Sequence, residues 1–194
     1  MRDTIKTTLP LLLICFVVAL CLAFVNSKTK DTIIERAKSD AETQRRQVMT
    51  EAKSFDEIKD WQDKDESGII HEAYAAYDGQ ELVGYVFSAI PKGYGGGIQV
   101  TVGVGIDNTI SGVKIGDNKE TPGLGSKASQ ESFTDQYLGK EIQKEFQVVK
   151  RFTSSDNEIE AISGATISTK AVTSAVQASA KLGDKLLKDG GNTK

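Results

Sequence analysis

Ser163, Thr166, Ser168 and Thr169 crowd one short stretch, EAISGATISTKAV, residues 160–172. Alanines and valines at helical spacing follow them, so these hydroxyls stand where a helix begins. A helix N-cap needs only one such group, and Ser and Thr are favoured there. A hydroxyl is a poor nucleophile unless a base or a metal activates it. The stretch holds neither His nor Cys, and the chain's single histidine, His71, lies far upstream. Taken alone, the stretch reads as a helix cap.

Two other stretches break the pattern of their surroundings. PKGYGGG, residues 91–97, reads alone as a strand connection, and NKETPGLGSK, residues 118–127, as an irregular turn. Pro122, Gly123 and Gly125 exclude regular helix or strand in the second.

Composition narrows the chemistry. The chain has 194 residues and a formal net charge of -3, which gives a nucleic-acid role no electrostatic support. Its cysteines, Cys15 and Cys21, both lie in an apolar N-terminal run. The remainder therefore has no disulfide framework and no thiolate metal site, and one histidine cannot build a zinc cluster. Chemistry must come from carboxylates, hydroxyls or a borrowed cofactor.

The run at residues 8–25 carries no charge and is long enough to span a membrane, at the short end. Phe24-Val25-Asn26-Ser27 offers no small-x-small signal-peptidase site, and Ile14 and Leu20 stand where a lipoprotein site needs a small residue before cysteine. An uncleaved anchor is expected. Arg2 and Lys6 precede the run while Lys28, Lys30, Arg36 and Lys38 follow it, so the charge count leaves the orientation open. Residues 28–53 lack Gly and Pro and carry a thin apolar stripe through Ile34, Ala37, Ala41, Val48 and Ala52, broken at Arg45. They read as a helical stalk, and the acidic stretch from Ser54 onward as a linker in which Phe55, Ile58 and Trp61 dock on the domain. The expected organisation is a tail and anchor over 1–27, stalk and linker over 28–67, a globular domain over 68–187 and a tail over 188–194.

From Gly68 the apolar period becomes that of strands. Two runs flank Asp78-Gly79, a strong hairpin signal. IQVTVGVGID alternates as a half-buried strand, and a turn near residues 108–112 leads to VKIG. A short helix in QESFTDQYLG and a strand in KEFQVVKRF follow. The last helix starts near residues 166–168 and carries Ala171, Val172, Ala175, Val176, Ala178, Leu182 and Leu186 on one face. The expected fold class is α+β: a single N-terminal transmembrane helix, then a twisted antiparallel sheet of at least four strands packed with helices.

The three irregular stretches, in this order, resemble the covalent FMN-binding domain family. SGAT, residues 163–166, with an acidic residue three positions before the serine, is similar to that family's flavinylation motif. GYGGGIQVTVGVGID and KETPGLGSK look like its other two signatures. The family occurs in the G subunit of the Rnf ion-translocating electron transport complex and the C subunit of sodium-pumping NADH:quinone oxidoreductase. The resemblance spans about residues 68–187 and the anchor, and the short chain is closer to the Rnf subunit. Glu160 stands where the family usually has Asp.

The resemblance implies that Thr166 carries FMN through a phosphoester. A separate flavin transferase using FAD and Mg²⁺ would attach it, which suits a stretch without a resident base. A helix N-terminus favours the resulting anion. Ser163 is expected to cap the turn, Gly164 and Ala165 to keep the approach open, and Ser168, Thr169 and Lys170 to add hydrogen bonds and charge. Glu120 and Thr121 are expected to bond the flavin ring and Leu124 to pack on its face. Gly123 and Gly125 would let the backbone approach, and Tyr94 would neighbour the ring from the first loop. No metal ligand and no catalytic residue of the chain's own is expected.

The function implied is that of an electron-carrying subunit in an oxidoreductase coupling ferredoxin:NAD⁺ electron transfer to Na⁺ or H⁺ translocation. Its partners would be the other Rnf subunits and membrane lipid, with the flavin domain outside the cytoplasm. One span without an intramembrane carboxylate is not expected to conduct ions itself. The nearer alternative is the same flavin domain in a quinone reductase or an extracellular reductase. An alternative of another class is a cofactor-free, membrane-anchored binding module.

Overall fold

A computed structural model describes residues 2–152 and 155–190. The chain divides into two units, one ending at Ala41 and the other starting at Glu42. Helix α1, Arg2–Val48, supplies all of the first unit and the opening turns of the second. It is the one described helix long and apolar enough to cross a membrane, with a mean hydropathy of 2.7 over its most apolar window. Leu11, Leu12, Ile14, Phe16, Val18, Leu20 and Phe24 all present exposed side chains. A helix apolar on every side finds no partner in water, and this one fits a membrane anchor.

In the second unit, β1 (Ser54–Glu57), β2 (Ile70–Asp78), β3 (Glu81–Ala89), β4 (Ile98–Gly105) and β5 (Ile110–Asn118) form a five-stranded antiparallel meander in chain order. The β2–β3 hairpin turns at Asp78-Gly79 as expected, with Gly79 at φ +69°. The β4–β5 turn places Asn108 at φ 62°, and the Asp107 carboxylate accepts the Thr109 hydroxyl at 2.9 Å. Asn is among the few side-chain-bearing residues that tolerate this conformation.

Three short helical elements follow the sheet in sequence: a 3-10 turn at Gly125–Ser129, then α2, Glu131–Thr134, running into a further 3-10 turn at Asp135–Tyr137. Strands β6 (Gln147–Val149) and β7 (Glu158–Glu160) pair in parallel as a separate ladder. Helix α3, Thr166–Gly190, closes the domain. Its face of Ala171, Val172, Ala175, Val176 and Leu182 packs against Phe87, Val100, Val102 and Val104 in the main core. Small residues allow the close approach: a Cβ at Gly183 would lie 2.9 Å from Val104 Cγ1.

The sheet's other face holds a smaller cluster of Val48, Met49, Ala52, Ala76 and Val86. The end of α1 rests directly on glycine backbone there, since a Cβ at Gly112 would lie 2.7 Å from Val48 Cα. Ser111 Oγ donates to the Val48 carbonyl at 2.7 Å and Thr101 Oγ1 to Gln44 Oε1 at 2.9 Å. Arg45, which interrupts the apolar stripe, lies over the Tyr74 ring at 4.2 Å.

One expectation is corrected. Ser54–Glu57, expected as linker, is an edge strand paired with β2, Phe55 opposite Ala76. Its polar alternation hides the role, because an edge strand needs one apolar face and few inward residues. The strand expected in KEFQVVKRF is present as β6, which pairs with β7 outside the main sheet. Trp61 is buried in the main core, with Ile58 packed against that core and Phe55 against the smaller cluster.

Tyr137 is fully buried, edge-on to Phe133 and Phe146, and its hydroxyl bonds Thr173 Oγ1 at 2.8 Å. Burial holds this phenol well above its ordinary value of 10.0, with the Thr173 hydrogen bond opposing in part. The folded state therefore keeps a proton that the unfolded chain loses. The associated stability is complete below about pH 10 and declines as pH rises beyond it. Tyr137→Phe should flatten that decline while costing about 1 kcal/mol at neutral pH through the lost hydrogen bond. Urea midpoints taken on either side of about pH 10 check this; an unchanged slope in the variant would assign the decline to other groups.

Candidate functional site

The antiparallel register brings the loop between β3 and β4 and the segment leaving β5 to one end of the sheet, where Ile98 pairs with Asn118. The first loop, 91–97, is pinched by Gly93 N–H donating to the Gly96 carbonyl at 2.7 Å. In the second segment, 119–124, Leu124 and Ser126 N–H both donate to the Thr121 carbonyl, and Gly123 takes φ +76°. The third segment, 161–165, leads from β7 into α3, with Gly164 at φ +77° and Ala165 N–H donating to Ile162 carbonyl at 2.9 Å.

One carboxylate ties these segments together. Glu120 is buried; its Oε1 accepts Gly95 N–H at 2.9 Å and its Oε2 accepts the Ser168 hydroxyl at 2.6 Å. Glycines make that convergence possible. A Cβ at Gly95 would sit 1.9 Å from the Lys119 carbonyl oxygen, and one at Gly125 would sit 2.2 Å from Glu120 Oε2.

Between the segments opens a cleft of about 620 Å³, lined by Tyr94, Glu120, Thr121, Leu124, Gly125 and residues 164–168. That volume lies within the usual range for a small-molecule site. Thr166 is exposed on its floor, and among the described residues its hydroxyl has no hydrogen-bond partner. Thr169 N–H makes the first helical bond, to the Ala165 carbonyl at 3.0 Å, so Ala165 is the N-cap. Alanine has no side-chain acceptor, so the N–H groups of the first turn lack the usual capping oxygen. Among the described residues, no Lys or Arg lines the cleft. An anion bound there would be held by backbone N–H groups and the helix dipole.

The structure thus brings together Tyr94, Glu120, Thr121, Leu124, Gly125, Gly164, Ala165, Thr166 and Ser168. It does not bring the other expected residues into the cleft lining. Ser163 stands two residues before the N-cap and faces a separate recess of about 330 Å³, which Glu160 also lines. A side chain so far from the first turn is not the N-cap, and this corrects the capping role expected of it. Thr169 is fully buried beneath the loop. Lys170 is exposed one turn along α3, and Gly123 occupies its own turn outside the lining. Ser168 spends its hydroxyl on Glu120, and both Glu120 oxygens are engaged within the protein.

Sequence reasoning misses Ile167, which is 55% exposed in the cleft lining. Its signal is a large apolar residue in the first turn of a helix, amid hydroxyls, which stays solvated unless something covers it.

A family described as FMN-binding domain matches residues 93–181. The chain is 38% identical over 193 residues to the G subunit of the Na⁺-translocating ferredoxin:NAD⁺ oxidoreductase complex of Acetobacterium woodii, covering 94% of this chain and 93% of that protein. It is 33% identical over 166 residues to the G subunit of the proton-translocating ferredoxin:NAD⁺ oxidoreductase complex of Clostridium ljungdahlii, covering 84% and 82%. Among solved structures, the C subunit of the Na⁺-translocating NADH-quinone reductase of Parabacteroides distasonis superposes with a TM-score of 0.51 at 27% identity, over 60% of this chain and 62% of that one. Shewanella oneidensis NqrC shares the fold, with a TM-score of 0.53 at 19% identity over 76% and 74% of the two chains.

Because Gly95 abuts backbone, not a yielding side chain, Gly95→Ala must move one cleft wall. It should lower stability by about 1–3 kcal/mol and break the Gly95 contact with Glu120. Chemical denaturation checks the loss. A variant as stable as the parent would mean that the glycine loop moves at no cost.

Proposed function

The chain belongs to the family of G subunits of ion-translocating ferredoxin:NAD⁺ oxidoreductase complexes, and from that membership we propose that it is the electron-carrying flavoprotein subunit of such a complex, with FMN on Thr166. One observation carries the site assignment: a free threonine hydroxyl at a helix N-terminus without a side-chain cap, opening into a cleft of small-molecule size. A phosphodiester on Thr166 suits that place, because the first-turn N–H groups and the helix dipole stabilise negative charge there, with Lys170 exposed one turn along the helix. Leu124, Ile167 and Tyr94 give the cleft apolar surface for a flat ring system, and Thr121 a hydroxyl for its polar edge. Glu120 holds the walls in register.

FMN, when attached, supplies the redox chemistry, and the protein supplies binding, orientation and local polarity. Thr166 has no neighbouring base, so its activation falls to an external flavin transferase using FAD and Mg²⁺. In that transfer the threonine oxygen forms a bond to the flavin-side phosphorus, the pyrophosphate bond breaks and AMP leaves. The hydroxyl proton passes to the transferase. Attachment through a stable ester keeps the cofactor on a carrier working outside the cytoplasm, where a dissociated flavin is lost. The span over residues 9–25 anchors the subunit in lipid beside its partner subunits. Ion movement belongs to those partners, since the span contains no charged residue.

Intact-mass analysis after co-expression with a flavin transferase should show one FMN, less water, on the parent chain and none on Thr166→Ala. Thr166→Ser keeps the hydroxyl and should retain part of the label. Flavin persisting on Thr166→Ala would move the attachment to another hydroxyl.

The flavin domain should lie outside the cytoplasm. The charge balance around the span is nearly even and does not oppose this strongly, because the positive-inside bias acts through short flanks and is one contribution among several. A reporter active only outside the cytoplasm, fused after Lys194, should be active, and one active only inside should be silent. The reverse pattern would overturn the topology.

A further inference from the structure

We propose that Thr169 is a positioning residue for flavin attachment: its side chain clamps the turn before α3 and so aims the Thr166 hydroxyl into the cleft. This rests on Thr166 being the attachment point. Thr169 is completely buried. Its Oγ1 donates to the Ala165 carbonyl at 3.0 Å and accepts Ile162 N–H at 3.1 Å. A hydroxyl has one proton to give and lone pairs to receive, so both bonds can form together.

Donation to the residue four back is common for threonine within a helix. Acceptance from an amide seven residues back is not a helical contact. It crosses the turn, and with Ala165 N–H on the Ile162 carbonyl at 2.9 Å it closes both ends of the 162–165 segment onto one side chain. With Gly164 held there at φ +77°, the clamp fixes the backbone from which the Thr166 side chain departs. Ala161 N–H is tied to the Val149 carbonyl at 2.8 Å, and beyond it Ser163 and Gly164 are both exposed.

The clamp is separate from the helix's deeper anchor. The Thr173 hydroxyl is hydrogen-bonded to the Thr169 carbonyl at 2.9 Å and to the Tyr137 hydroxyl at 2.8 Å, so Tyr137 holds the body of α3 and not the turn. The two positions can therefore be disturbed independently.

A misplacement of about 1 Å at a reacting group costs on the order of 100-fold in rate. Thr169→Val removes both bonds at nearly constant volume. It should slow FMN attachment by the transferase about 10- to 100-fold at saturating FAD, with the KM for the acceptor chain little changed. Thr169→Ser keeps the hydroxyl and should restore the rate to within a few-fold, whereas Tyr137→Phe should lower Tm without slowing attachment. A second readout needs no flavin. On the full-length chain in detergent, hydrogen exchange in the 161–165 peptide should quicken in Thr169→Val and remain slow in Thr169→Ser. The proposal is overturned by attachment at the parental rate in Thr169→Val, by a serine variant as slow as valine, or by unchanged exchange in the valine variant. FMN still attaching to Thr166→Ala would sink the assignment of the attachment point instead, with the exchange result still deciding whether Thr169 clamps the turn.

Discussion

Glu120 sits where segments 25 and 48 residues away in sequence meet it, taking Gly95 N–H on one oxygen and the Ser168 hydroxyl on the other. A buried carboxylate is expensive unless its lone pairs are used. Here they are used by a backbone amide and a hydroxyl, with no lysine or arginine among the described residues that line the cleft. Hydrogen bonds to an ionised acceptor are stronger and shorter than neutral ones. The cleft walls therefore converge on one point whose geometry is set by short contacts, and loss of the carboxylate would release both neighbouring segments together.

The glycines gain a different meaning from this arrangement. Loops rich in glycine suggest backbone yielding to a bound molecule, which is what sequence alone leads one to expect of Gly123 and Gly125. In the structure Gly95 yields to the Lys119 carbonyl, and Gly93 and Gly125 yield to the Glu120 side chain. Their missing Cβ atoms let the protein close on itself so that a cleft with defined walls exists at all. Close approach to a ligand and close approach to one's own chain leave the same trace in sequence.

Legibility follows the range of the interactions involved. The Asp78-Gly79 hairpin and the small-residue face of α3 are readable because turn chemistry and helical periodicity are local. The cleft members Tyr94, Leu124 and Thr166 are readable through motif resemblance. The edge strand Ser54–Glu57 is not, since its identity depends on pairing with residues 74–77, across the linker and the whole of the intervening turn. Sequence alone suggests ligand-facing hydroxyls at Thr169 and Ser168, yet both are buried and bonded within the protein. In a cluster of adjacent hydroxyls, sequence gives the chemistry available but not which face of the first turn each residue takes. That is decided by how α3 lies on the sheet.

The same packing explains why the site needs so little charge. The alanines and Gly183 of α3 draw the helix onto Val100, Val102 and Val104, which fixes the axis and with it the position of the helix N-terminus at the loop-bearing end of the sheet. A helix dipole is effective only within about the first turn, so this end must arrive within contact distance of whatever it stabilises. Ala165 at the N-cap leaves the first-turn donors without a side-chain oxygen, and Glu120 draws the nearest hydroxyl, Ser168, aside. What faces the cleft is a set of backbone donors beside one free threonine hydroxyl. Such an arrangement would suit an anionic ester, and the one carboxylate among the described cleft-lining residues, Glu120, already has both oxygens hydrogen-bonded. With Thr166 as the proposed attachment point, attachment and use of the cofactor fall to different proteins: a transferase would perform the first, and this domain would serve the second.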